Sequence, residues 1–263
     1  AYDRPTPPRP RSVSQAAPAA GLTVKIGSRP DPAFRPCGSG PLAHRWLFPA
    51  NLTPVEADTP RAFRTPALLA ERLTHLDDPR VAPLNDWVRD LRTRLGPEAI
   101  VPWFDPADGG IEARLLWLLE APGPKATTER GGSGIISCNN HDGAAENTWR
   151  TRAEAGVDRH LVVHWNVIPY YLGTDTKIRA WKPGDVANAG PMLAELVALL
   201  PELRSVVLGG EAAQICWRDH KPRTAQVREF PCPHPSVTNV NTRPGVWPLI
   251  VQAWRDAAAW ATK

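Results

Sequence analysis

Cysteine is scarce in this chain of 263 residues: Cys37, Cys138, Cys216 and Cys232 are the whole complement, and no two form a CxxC pair. Structural zinc and iron–sulfur sites draw their ligands from closely spaced pairs, so no metal centre is expected. A chain of this length buries a core without staples, and with no export signal its thiols are expected to stay reduced. Long hydrophobic runs are missing too. Nothing approaches the ~18 apolar residues of a membrane span, and the N-terminus lacks a signal peptide's apolar stretch. The expectation is a soluble, cytoplasmic protein. Neither sign of charge dominates, with 31 basic and 27 acidic side chains and a net charge of +4. Charged residues make up 22 % and hydrophobic residues 42 %, near the globular average, which excludes a wholly disordered chain.

What is abundant is proline, 30 residues, and tryptophan, 11. Nine of the prolines fall in residues 1–46, together with seven basic side chains against only Asp3 and Asp31. That segment therefore carries +5 and the remainder of the chain −1. It reads as a basic, partly extended polyproline arm, able to touch nucleic acid phosphates or serve as a solubilising tail.

From Thr65 to Arg94, leucines, Trp87 and Val88 recur at three- and four-residue steps, which predicts two helices divided near Pro79 to Pro83. Residues 47–111 thus read as a helical extension. Beyond them, short apolar runs at Arg114–Glu120, Leu161–Val167, Ser205–Leu208 and Val227–Phe230 alternate with helical patterns at Asp142–Ala155, Pro191–Leu200, Glu211–Trp217 and Trp247–Trp260. Such alternation predicts an α/β domain over residues 112–263, one parallel sheet covered on both faces.

In open parallel sheets ligands bind beyond the carboxyl ends of the strands. Three strand-leaving segments are polar there: Glu120-Ala-Pro-Gly-Pro124, the Asn166 region, and Cys232-Pro-His-Pro-Ser-Val237. With Ser133-Gly-Ile-Ile-Ser137 and Val206-Val-Leu-Gly-Gly-Glu-Ala-Ala-Gln214 between them, they form an ordered series that resembles the uracil-DNA glycosylase superfamily over residues 112–260. The resemblance implies a four-stranded parallel sheet flanked by helices, hydrolysis of a base–sugar bond in DNA, no required cofactor, and a monomer. Glu120-Ala121-Pro122-Gly123 corresponds to the family's first motif.

An enzyme acting on a base in DNA must extrude it into a pocket that reads its edge and covers its face. Asn166 matches the base-reading asparagine, since its amide offers an acceptor and a donor to N3–H and O4 of uracil. His234 matches the histidine that approaches O2 of the leaving base, where negative charge grows as the bond breaks. Ser236 is placed to bind a phosphate, and Val237 to Asn239 to begin the DNA wedge. Ile136 falls where the family often has an aromatic ring to cover the base, so Tyr170 and Tyr171 are candidates for the missing surface.

The best-known relatives carry Asp or Asn where this chain has Ala121, which cannot orient the attacking water. Glu120, Asn139 and Asp142 are the alternatives, and Asn139 would act by orientation rather than by proton removal. Gly131-Gly-Ser-Gly134 satisfies neither a nucleophile elbow nor a Walker loop. These glycines instead let backbone pass near the pocket.

The expected activity is release of uracil or a related damaged or modified pyrimidine from single- or double-stranded DNA. Lys221, Arg223, Arg228 and Arg243 would supply charge around the His234 loop. A non-catalytic nucleic-acid-binding protein on the same fold is the alternative that Ala121 suggests.

Overall fold

The computed structural model describes residues 58–128, 131–174, 177–222 and 226–263. The arm of residues 1–46, Cys37, the first part of the 47–111 segment and Arg223 lie outside the described residues.

Four strands, β2 (Leu115–Leu119), β4 (Val162–Asn166), β7 (Ser205–Gly209) and β8 (Arg228–Cys232), form one parallel sheet in the order β4-β2-β7-β8. The α/β class and the four-stranded parallel sheet are as expected. β2 lies inside the sheet, which is why Leu115, Leu116, Trp117 and Leu118 read as an unbroken apolar run. Alternation sends Leu116, Leu118, Val163, Trp165, Val206 and Leu208 to one face. Leu115, Trp117, Val162 and Val207 face the other way. β8 is an edge strand, so it tolerates Pro231, which removes a ladder donor.

The first face is covered by α2 (Ala82–Leu95), α4 (Pro183–Ala198) and α5 (Glu211–His220). Two helices are indeed present before residue 100, α1 (Pro66–Leu73) and α2, each with proline in its first turn. Phe104, in the short strand β1 (Trp103–Phe104), stacks on Trp165 at 3.8 Å and 9°. The Trp87 indole donates to Glu195 of α4 at 2.7 Å. β1 pairs in parallel with β3 (Ile135–Ile136).

One boundary needs correction. The helix expected at Pro191–Leu200 begins at Pro183 and carries Pro191 in its interior. Pro191 and Ala187, whose carbonyl it deprives of a donor, are both on the exposed side, where water can satisfy that carbonyl. The start is set by the Asp185 carboxylate, which accepts from the Lys182 N–H at 2.8 Å. Gly190 lets α4 approach α5, since a Cβ there would sit 2.3 Å from the His220 ring.

The second face is covered by α7 (Val246–Ala261), with α3 (Gly143–Glu154) packed beside it. Trp254 of α7 stacks on Trp117 at 4.2 Å and 6°. Between α3 and α7 lies the short α6 (Val237–Thr242), and β5 (Gly173–Thr174) with β6 (Lys177–Ile178) forms a small antiparallel ribbon. Cys138, Cys216 and Cys232 are buried free thiols. Among the described residues no helix is long and apolar enough to cross a membrane.

Candidate active site

Pairing between β2 and β4 continues past the strands. Val167 donates to the Leu119 carbonyl at 2.8 Å and Ile168 to the Glu120 carbonyl at 3.0 Å. This ties the loop leaving β2 to the end of β4 and brings Glu120 and Asn166 to the same rim. His234 arrives from the loop after β8. Gly209 and Gly210 make room for it: a Cβ on Gly210, whose φ is +97°, would stand 3.0 Å from the His234 Cβ, and one on Gly209 would strike Leu119 at 2.6 Å. From the opposite side, Asn147 of α3 donates to the Pro235 carbonyl at 2.9 Å.

These elements enclose a cavity of about 400 Å³ on the α3 side of the sheet, at the carboxyl ends of its strands. Glu120, Ala121, Pro122, Gly123, Ile136, Asn166, His234 and Ser236 all line it. Asn166 is 5 % exposed, and its amide makes no side-chain hydrogen bond among the described residues, so both its donor and its acceptor remain available to a ligand. Burial raises the pKa of Glu120, whose carboxylate likewise has no side-chain partner among the described residues.

His234 is held in one tautomer. The Ser236 N–H donates to its Nδ1 at 3.1 Å, so a neutral ring carries its proton on Nε2. Burial lowers its pKa to about 4, which keeps the ring neutral at pH 7. Asn239 Nδ2 donates to the His234 carbonyl at 3.1 Å, and the Ser236 hydroxyl caps α6 by accepting from Asn239 N–H at 3.3 Å. The cap and the Nδ1 contact make Ser236 an organiser of this loop. A second cavity, about 610 Å³, shares Glu120 and His234 with the first and is also lined by Gln214, Asn239 and Arg243.

Asn139 does not line the cavity. It is fully buried and its amide is committed elsewhere, donating to the Thr59 carbonyl at 2.8 Å and accepting from Arg159 at 2.5 Å. Asp142 does line it, but one carboxylate oxygen caps α3, accepting from Ala145 N–H at 2.9 Å. The glycines at 131–134 support the rim rather than the cavity: a Cβ on Gly132 would meet the Pro124 carbonyl oxygen at 2.5 Å. Cys138 also lines the cavity, and burial pushes its thiol up to about 11, so it holds its proton and is no nucleophile. Of the expected cations, Arg243 lines the second cavity, Lys221 pairs with Glu229, and Arg228 lies over the Trp260 ring at 5.4 Å.

Trp117, Asn140 and His164 also line the cavity, and no motif in the sequence points to them. Asn140 is structural, donating to the Ile135 carbonyl at 2.9 Å and accepting from the Ser133 hydroxyl at 2.6 Å. His164 is paired with the equally buried Asp108, whose Oδ2 accepts from its backbone N–H at 3.1 Å and lies 2.8 Å from its Nδ1. Strand alternation already put His164 on the face of Asn166, two residues away.

No protein-family model matches the chain, and no curated protein matches it.

Proposed function

We propose that this protein is a DNA glycosylase on a uracil-DNA glycosylase-like fold, hydrolysing the bond between deoxyribose and uracil or a related damaged or modified pyrimidine. One observation carries the reading: the uncommitted amide of Asn166, the neutral His234 and the Glu120 carboxylate line one cavity at the carboxyl edge of the sheet. An extruded base meets Asn166 at its N3–H and O4 edge and Ile136 at its face. His234 Nε2–H donates to O2 as charge develops there, and a donor that is not itself charged needs no reorganisation during bond breaking. Glu120 is the group that orients and deprotonates water. It takes the work that Ala121 cannot do, and Asn139 is left as a structural residue.

The test is incubation of the purified chain with uracil-containing single- and double-stranded oligonucleotides, followed by alkaline cleavage of abasic sites. Base release is expected from the native chain, with about a hundredfold loss in Asn166→Ala, the equivalent of two buried hydrogen bonds. Unaltered release by the variant would refute the pocket assignment.

The second reading, binding without cleavage, is favoured by Ala121 alone. It predicts DNA association with no abasic product, and a salt dependence that weakens when the +5 arm of residues 1–46 is removed.

A further inference from the structure

Two of the cations expected around the His234 loop are already engaged, Lys221 with Glu229 and Arg228 with the Trp260 ring. A different set stands beside the cavity. Lys125 sits between Pro124 and Ala126, and His141 between Asn140 and Asp142; all four of these neighbours line the cavity. The short turn Ala62–Arg64 is fastened alongside. The Phe63 N–H donates to the Asn139 carbonyl at 3.2 Å, and Arg61 pairs with Glu146 of α3 at 2.5 Å. Arg61 holds φ at +59°, a left-handed conformation that no other residue except glycine adopts among the described residues. Its ion pair and the Phe63 contact pin the turn that presents Arg64.

These charges converge on His141. Burial lowers the pKa of its imidazole, and so do the positive charges of Arg64, Arg61 and Lys125, each close enough to act on it, while Asp142 opposes them. The ring is therefore mainly neutral at pH 7 and does not add to the charge. Glu146 is shared between Arg61 and Arg150, the latter at 2.7 Å, and Asp142 caps α3. Arg64 and Lys125 are both exposed, and neither side chain has an ion-pair or hydrogen-bond partner among the described residues. Two uncompensated cations are thus left at one edge of the cavity, on a body whose residues 47–263 carry −1 as a whole.

We propose that Arg64 and Lys125 form a phosphate-binding edge that grips the DNA backbone flanking the extruded nucleotide, with Arg61 as the residue that positions Arg64. The choice of ligand rests on the glycosylase reading above. A nucleotide turned into the cavity leaves its flanking phosphates outside, at the rim. Cations placed there release condensed counterions from the backbone, which strengthens binding whatever the base. Arg61 and Arg64 precede residues 112–260, over which the chain resembles the superfamily, so this edge belongs to the chain's own extension. The segment before the sheet is then part of the DNA-binding face as well as a cover for the core.

The experiment measures affinity for a duplex carrying a tetrahydrofuran abasic-site analogue, which cannot be hydrolysed, at salt concentrations from about 0.05 to 0.2 M. It compares the full native chain, the double variant Arg64→Gln/Lys125→Gln, and a control, Arg114→Gln/Arg204→Gln. The control removes the same charge from exposed side chains at the amino ends of β2 and β7, the far end of the sheet. The first variant is expected to bind about tenfold or more weakly, with its log–log salt slope reduced by about 2, near one for each lost phosphate contact, while the control keeps the native slope. Single-turnover release from a uracil-containing duplex is expected to stay within about twofold of native at saturating DNA, with the half-saturating concentration raised. Thermal unfolding checks that both variants fold. A native slope in Arg64→Gln/Lys125→Gln, or an equal loss in the control, would overturn the phosphate-binding edge, and base release by the native chain would leave the glycosylase reading standing. The expected slope loss without base release by the native chain would support the edge and count against that reading. A native chain with no affinity for the duplex would overturn both.

Discussion

Arg159 donates to Asp105 at 2.6 Å, with the two side chains 6 % and 0 % exposed. The same guanidinium reaches Asp58 at 2.5 Å, Asp108 at 3.0 Å and the Asn139 amide oxygen at 2.5 Å. Arg72 adds a second cation to Asp105 at 2.6 Å, and Arg152 one to Asp58 at 2.9 Å. This cluster joins the segment before the sheet to the start of β4, and through Asp108 it reaches His164. It consumes Asn139, one of the residues that the family resemblance offered for catalysis.

Removing the central cation tests that account. Arg159→Met leaves three carboxylates with reduced compensation, and two of them, Asp105 and Asp108, are shut off from water. Breaking a buried pair on one side costs about 3–5 kcal/mol, so the urea midpoint should fall steeply. A shift of under ~1 kcal/mol would mean that water or neighbouring arginines already satisfy these groups.

Acid should dismantle the same cluster. Burial by itself would raise the Asp58 carboxyl, but the charges of Arg159 and Arg152 outweigh it and hold the pKa at about 2. Asp105 is lowered further, where Arg72 and Arg159 outweigh complete burial. A carboxyl depressed in the folded state contributes stability above its unfolded value, here 3.8, and loses it as pH falls toward the folded value. Stability followed by urea unfolding should therefore decline from about pH 4 to pH 2. In Asp58→Asn the steepness of that decline should lessen.

His234 titrates with the opposite chemistry. Burial lowers its pKa from 6.5 to about 4, so between those values the unfolded chain binds a proton that the folded chain refuses. Stability from this residue is complete above pH 6.5 and erodes as pH falls toward 4. Replacing it with Asn should remove that part of the pH dependence, measured as urea midpoints at pH 7 and pH 5, while lowering base release. If the native midpoint did not change between these two conditions, the ring would not be buried in its neutral form.

Much of this arrangement was legible in the sequence for simple reasons. β2 announces itself because an inner parallel strand needs apolar side chains on both faces, and Glu120, Asn166 and His234 sit where strands end. The cavity neighbours of Asn166 were harder to see. His164 reads as one polar residue inside an apolar strand, because its partner Asp108 lies more than fifty positions away in the chain. Trp117 likewise reads as core, and only its partnerless nitrogen distinguishes it. Asn139 shows the reverse failure. Motif spacing brought it near the pocket, but its amide is held by Arg159 and Thr59, which no local pattern reveals. Pro191 misled because proline usually marks a helix start, whereas here Pro183 does so and Pro191 rides on the exposed face of the same helix.

In the proposed reaction, Glu120 carries the remaining chemical burden. Ala121 has no polar side chain, Asn139 is committed, and Asp142 spends one oxygen on a helix cap. Glu120 is raised above its usual 4.5 by burial, which makes it a better proton acceptor once ionised. Glu120→Gln preserves size and hydrogen-bonding reach but cannot take a proton. Single-turnover release should fall about a hundredfold or more, the ordinary range for a lost general base. In the native chain, release should rise with pH through an apparent pKa above 4.5, and the variant should lose that limb. A variant that is slower but keeps the limb would assign the titration to another group, and one as fast as the native chain would return the search for the water's partner to Asp142.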